Sequence, residues 1–296
     1  MKTQLNISSG LRRLAVCGSL AISGALLLPG EVNAQIVTMD NGGSTATVNL
    51  GSSAGMDNWS VGVGANMQNQ LNQQWFWYSV NGGAVQSIDT IANSPGGSLS
   101  YSLSPDQSTL NATYQNSTLA VAIQYQLSGG GAGSGSADLS ESITVVNTGA
   151  SAFNINFFQY SFFNLLQNDQ NTVNILGNPG AFTSISQTTT GGGNGIVEVV
   201  EQPFANYAEA GGPATVMADM TSGNPLTDAT SAGPGDEAWA FEWTATGVGT
   251  GVNNALDIYK DKNLSIQPVP EPGTMSLVGL GLVACGFVRR TMKRNV

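Results

Sequence analysis

The chain predicts an all-β protein, one large two-sheet antiparallel β-sandwich, and three observations carry that reading. Most of residues 35–266 is written in short runs that alternate apolar and polar residues, separated by clusters of Gly, Asn, Ser and Pro. No window carries a capped apolar stripe of helical period, so helix is nearly absent. Roughly fifteen such runs exceed what one open sheet holds without curling or splitting, and two packed sheets are the natural solution. One sandwich is favoured over two tandem modules, because no Pro-rich linker or internal repeat divides the body. The glycine-rich stretch 128–136 is where a two-domain reading cuts.

Taken in order, Thr45–Leu50 and Trp59–Val63 have period two. Trp75–Val80 ends at Asn81-Gly82-Gly83. Asn-Gly between strand-like runs predicts a type I′ hairpin, since both central residues need positive φ, with Val85–Ile91 as the return strand. Ser98–Leu103, Thr109–Gln115 and Ser117–Leu127 continue the meander; in the last, Val121, Ile123, Tyr125 and Leu127 share one face. The glycine stretch reads as a flexible connection. Ser140–Asn147 and Phe153–Phe163 follow, and the second is aromatic on both faces, which predicts a central strand covered on both sides. Val173–Leu176, Phe182–Gln187, Ile196–Gln202 and Ala214–Met220 read as further strands, and Asn224–Gly235 as a long surface loop. Ala238–Thr244 aligns Trp239, Phe241 and Trp243, Ala255–Tyr259 turns Leu256 and Ile258 inward, and Leu264–Ile266 is a last short strand.

Both ends read as addresses. Lys2, Arg12 and Arg13 precede an uncharged apolar run, Leu14–Leu28, and Val32-Asn33-Ala34 fits small-x-small cleavage before Gln35, so residues 1–34 read as a signal-peptide helix. Residues 267–296 divide into a proline collar, Pro268 to Gly273, an apolar run to Val288, and a basic tail containing Arg289, Arg290, Lys293 and Arg294. As a helix the apolar run rises only about 22 Å, short of a roughly 30 Å hydrocarbon core, so it is a short, transient transmembrane span with its basic end in the cytoplasm.

Pro270-Glu271-Pro272, the short span and the Arg-rich tail resemble the PEP-CTERM sorting signal of Gram-negative bacteria. The resemblance implies Sec export, transient anchoring in the inner membrane and processing near the triplet by an exosortase. It further implies a destination at the cell surface or in an extracellular matrix, in association with exopolysaccharide or biofilm. The segment from Ile143 to Ile155, through Asn147-Thr148-Gly149, is similar to a hairpin of extracellular Ig-like and related β-sandwich domains, over about 20 residues.

With the two addresses removed, two lysines face 17 acidic residues, a net charge of −15, and the body has no Arg, His or Cys. That composition repels nucleic-acid phosphate and anionic lipid. It provides no disulfide, and it excludes histidine triads, thiol nucleophiles and His-based metal sites. No cofactor or metal is expected, and no catalytic residue is assigned.

Paired carboxylates are what remains for hydrolysis. Glu198 and Glu201 point to opposite faces of one strand, and Asp236 and Glu237 adjoin at a loop end. Glu141 falls in phase with Leu139, Ile143 and Val145, where a carboxyl has a raised pKa; the alternative is a strand beginning two residues later, which leaves it in water. Lys260 and Lys262 lie among Asp257 and Asp261 and read as solvated. The function expected is an exported, non-enzymatic surface or matrix protein. The alternative is a carbohydrate-binding module that stacks sugar rings on Trp75 or Trp77, with extracellular polysaccharide as the partner.

Overall fold

The structure, a computed structural model, describes residues 35–267 apart from 64–65, 168–169 and 191. The signal peptide, the short span and the sorting residues Pro270, Glu271, Pro272, Arg289 and Arg290 lie outside the described residues. Among the described residues, no helix is long and apolar enough to cross a membrane.

The chain begins with β1 (Ile36–Asn41), β2 (Ser44–Asn49), β3 (Gly55–Val63), β4 (Asn66–Asn69), β5 (Leu71–Val80) and β6 (Gln86–Ser87). After α1 (Asp89–Asn93) come β7 (Ser98–Leu103), β8 (Thr109–Gln115), β9 (Leu119–Gly129), β10 (Ser136–Asn147) and β11 (Phe153–Phe163). Next are β12 (Asn171–Asn178), β13 (Ala181–Thr189), β14 (Gly195–Gln202) and β15 (Tyr207–Gly211), then α2 (Pro213–Thr221). The body closes with β16 (Ser231–Gly235), β17 (Ala238–Val248) and β18 (Leu256–Ser265).

These strands form two nine-stranded sheets, ordered β1-β2-β3-β5-β11-β17-β15 (β4 beside β3, β6 beside β5) and β16-β12-β13-β14-β18-β10-β9-β8-β7. All pairings between strands are antiparallel except a short parallel contact of β3 with β5. The first sheet has β11 between β5 and β17, and the second has β18 at its middle. Aromatic side chains fill the interior: Phe163 stacks on Trp239 at 5.4 Å, Phe76 on Phe157 at 5.7 Å, and Phe76 meets Tyr125 of the opposite sheet at 6.5 Å. Burying such rings contributes roughly 1.5–3 kcal/mol each.

Several expectations are corrected here. Asn81 and Gly82 do take positive φ, 53° and 71°, but the return strand pairs only at Gln86 and Ser87 before α1 begins at Asp89. Ala214–Met220 is helix, not strand. Pro213 occupies the first turn, where its missing amide costs nothing, and Val216 and Met220, one turn apart, are the buried face. That helix lies against the outer side of the first sheet, its Pro213 carbonyl accepting the Tyr160 hydroxyl at 3.3 Å. Ser231–Gly235, within the expected loop, pairs with β12. The Ig-like segment is no hairpin: β10 belongs to the second sheet and β11 to the first. Buried Asn147 shapes that crossover, its amide donating to Ser151 O and Val248 O, both at 2.8 Å.

The glycine stretch is clamped rather than loose. Gly135, at φ 70°, donates to Gly62 O at 2.7 Å, and its carbonyl accepts Ile266 N at 2.7 Å. A Cβ there meets Ile266 O at 1.8 Å. Gly135→Ala is therefore expected to destabilise the domain by about 1–3 kcal/mol in urea unfolding. Gly131→Ala, where a Cβ meets nothing, is the control and is expected to be near neutral.

Candidate functional site

The most unusual chemistry lies between the sheets. Alternation along β18 turns Ile258, Lys260, Lys262 and Leu264 to the interior, and Asp257, Tyr259 and Asn263 outward. Pairing sets Glu141 of β10 opposite Lys260, and Glu198 of β14 opposite Lys262. All four side chains have zero accessibility. Glu141 Oε2 lies 2.5 Å from Lys260 Nζ and 2.7 Å from Lys262 Nζ; Glu198 Oε1 is 3.3 and 3.5 Å from the same two. Two cations and two anions thus form a neutral, desolvated square.

The first sheet supplies its lid. Gln74 of β5 donates to Glu141 Oε1, and Lys260 donates to Gln159 Oε1 of β11. Glu198 Oε2 accepts Gln159 Nε2 at 2.9 Å and Trp239 Nε1 at 3.0 Å. Phe76 and Trp243 face the Lys260 ammonium at 5.0 and 5.9 Å. Burial alone pushes the Glu141 carboxyl up, but Lys260 and Lys262 outweigh it and hold the pKa at about 2. Desolvation lowers the Lys260 pKa, with Lys262 adding to the effect. Burial opposes the ammonium of Lys262 too, but Glu141 and Glu198 raise its pKa above the usual lysine value.

Glu141 is therefore on the core face, as its phase indicates, but its pKa is lowered rather than raised because two lysines arrive from β18. Those lysines are buried, which corrects the solvated reading. The available signal was an alternation running unbroken from Ile258 through both lysines to Leu264. Gln74 and Gln159 gave no signal of their own. Glu198 is buried while Glu201 is exposed, on opposite faces of β14 as expected.

Trp75 and Trp77 are 0% and 5% exposed, so neither offers a face to a sugar. Trp75 Nε1 donates to Ser87 Oγ at 2.9 Å, and Trp77 packs edge-on against Tyr160 at 6.0 Å. They are core because β6, Tyr114 of β8 and Tyr160 of β11 pack against them. The open surface is instead the outer side of the second sheet. There Tyr259, 44% exposed, sits over a depression of about 140 Å³ bordered by Gln124, Gln126, Ser142, Glu201 and Asp261.

A separate acidic group sits where β15 and β17 pair. Glu242 Oε2 accepts Leu226 N at 3.0 Å, and Glu209 Oε2 accepts Thr227 N at 3.0 Å. Burial pushes the Glu242 carboxyl up to about 7, assisted by Asp228 and opposed by the Leu226 amide. Among the described residues, no group of three or more His, Cys, Asp or Glu is placed to hold a metal ion.

The fold has solved counterparts. A bacterial glucoamylase complexed with acarbose superposes at TM-score 0.51 and 10% identity, over 86% of this chain and 36% of that one. A galactose mutarotase related enzyme from Lactobacillus acidophilus superposes at TM-score 0.50 and 8% identity, over 80% of this chain and 99% of that one. At such identities the likeness establishes a shared two-sheet fold. The chain spans about a third of the glucoamylase. No curated protein matches the sequence. The remaining comparison concerns the C-terminal segment, where the triplet, the apolar run and the basic tail all fall inside the stretch that a family description matches. The chain carries a PEP-CTERM protein-sorting motif at residues 268–294, which implies an exported protein and exosortase processing.

Proposed function

We propose that this is a non-catalytic domain of the cell surface or extracellular matrix, delivered through its C-terminal sorting motif. The observation that supports it best is the state of the interior ionisable groups. Glu141, Glu198, Lys260 and Lys262 are sealed from solvent and bonded to one another, so the interior pair Glu141 and Glu198 is closed to a glycosidic bond. A body of net charge −15 stays hydrated and soluble among anionic polymers. Deleting Pro270–Pro272 in the native host is expected to change the processed size and retention of the protein. Unchanged size and location would count against the sorting half of this reading. Hydrolysis of a polysaccharide panel by the purified protein would count against the other half.

The open side of the second sheet favours a second reading, contact with polysaccharide. Tyr259 offers a ring face for stacking, and the Gln124 and Gln126 amides with the Asp261 and Glu201 carboxylates offer polar partners around it. This relocates the glycan contact from Trp75 and Trp77 to Tyr259. On a glycan array, Tyr259→Ala is expected to lower binding at least tenfold while leaving the unfolding midpoint within error. Equal binding by both proteins, or none by wild type, rejects it.

A further inference from the structure

We infer that Lys260 and Gln159 join in a self-formed amide cross-link that ties the two sheets together. The inference is independent of the proposed role, since it concerns only the interior. Lys260 is on the middle strand of the second sheet and Gln159 on β11 of the first, between β5 and β17, 101 residues apart in sequence. The Lys260 ammonium nitrogen lies against the Gln159 side-chain amide, and both residues are buried, at 2% and 0% exposure. Each reacting group has its own carboxylate. Glu141 Oε2 is 2.5 Å from Nζ, placed to take its proton, and Glu198 Oε2 holds Gln159 Nε2, the leaving nitrogen, at 2.9 Å. Phe76 and Trp243 wall the nitrogen from water, and Lys262 beside it disfavours a second ammonium.

The step balances without an outside reagent. Lys260 gives one proton to Glu141, and the freed electron pair attacks Cδ of Gln159, placing negative charge on Oε1. A second proton passes from Nζ by way of Glu198 to Nε2. The C–O double bond reforms, the Cδ–Nε2 bond breaks, and ammonia leaves; nothing is oxidised or reduced. One cation has then been lost, so Glu141 keeps its proton and donates it to the new amide, while Glu198 remains paired with Lys262. The interior stays neutral before and after, which a low-dielectric site requires. A bond across 101 residues closes a long loop in a body that has no cysteine for a disulfide.

The test is peptide mapping of the exported protein after full denaturation. Lys260 and Lys262 are the only basic residues between residues 35 and 267, so trypsin has two cleavage sites there. With the cross-link, cleavage after Lys262 proceeds and cleavage after Lys260 does not. A second protease then releases a peptide pair spanning Gln159 and Lys260, lighter than its sum by one ammonia, about 17 Da. Lys260→Arg is expected to remove that pair. Glu141→Gln is expected to lower its yield at least tenfold. Ready cleavage after Lys260, with both wild-type peptides at unmodified mass, overturns the inference whether or not either variant folds.

Discussion

Replacing Lys262 with methionine is expected to cost about 3–5 kcal/mol of folding stability. Methionine nearly matches the lysine stem in volume, so the loss is electrostatic rather than a cavity. Lys262 lies 2.7 Å from Glu141 and 3.5 Å from Glu198, all at zero accessibility. Its removal leaves the square with one excess negative charge and no water to solvate it. The cost belongs to the orphaned anion, and not to the worth of the ion pair, because desolvation offsets most of what the intact pair gains. A compensating change therefore restores stability. Glu198→Gln keeps an amide oxygen for Trp239 Nε1 and Gln159 Nε2, which now bond the carboxylate at 3.0 and 2.9 Å, and removes the excess charge. The double variant Lys262→Met, Glu198→Gln is expected to recover more than half of the loss in urea titrations. Additive losses in the double variant would mean that the four groups are not a coupled neutral unit.

Why that square escapes a reading of the sequence is physical. A lysine flanked by aspartates at 257 and 261 looks hydrated, since unpaired cations do not survive burial. What makes them survive is a pair of anions on two strands that neighbour β18 only after folding, from positions 141 and 198. Local alternation, in contrast, was fully visible. Ser98–Leu103, Thr109–Gln115 and Phe153–Phe163 match β7, β8 and β11 residue for residue. Their period of two comes from the pleat itself and needs no tertiary information. Partner choice does need it. The turn after Asn147 reads as a hairpin by composition, yet the chain crosses there between sheets, held by an asparagine whose amide reaches Val248 O about a hundred residues away. Ala214–Met220 alternates well enough for a strand, and only Pro213 at the helix start and the docking of Val216 and Met220 decide for helix. Trp75 and Trp77 followed the usual fate of alternate aromatics on a central strand. An outward ring on β18, Tyr259, is left in water, as Tyr101 and Phe204 are elsewhere.

Stability is expected to fall as pH rises from about 4.5 to 7, the reverse of what a domain this acidic shows when its carboxylates are salt-bridged. Glu242 has zero accessibility, accepts one amide proton from Leu226, and has no hydrogen-bond partner at Oε1. Burial raises its pKa to about 7, with the nearby Asp228 acting in the same direction. An unfolded glutamate ionises near 4.5. Between those values the native state holds a proton that the unfolded state has released, so each rise in pH favours unfolding. The contribution is fully present below about 4.5 and gone above about 7. Glu209, Asp138 and Glu237 are also raised by burial and add to the same slope. After allowance for solvent screening, Glu242 accounts for about 1–2 kcal/mol of it. Glu242→Gln keeps the acceptor for Leu226 N–H and cannot ionise, so it is expected to unfold at higher urea than wild type at pH 7.5 and at the same urea at pH 4.5. Parallel pH profiles for the two proteins would show that Glu242 is ionised in the native state throughout. Glu141 shows the contrast: both carboxyls are buried, but two lysines on the neighbouring strand outweigh burial at Glu141, whereas at Glu242 burial prevails and Asp228 adds to it.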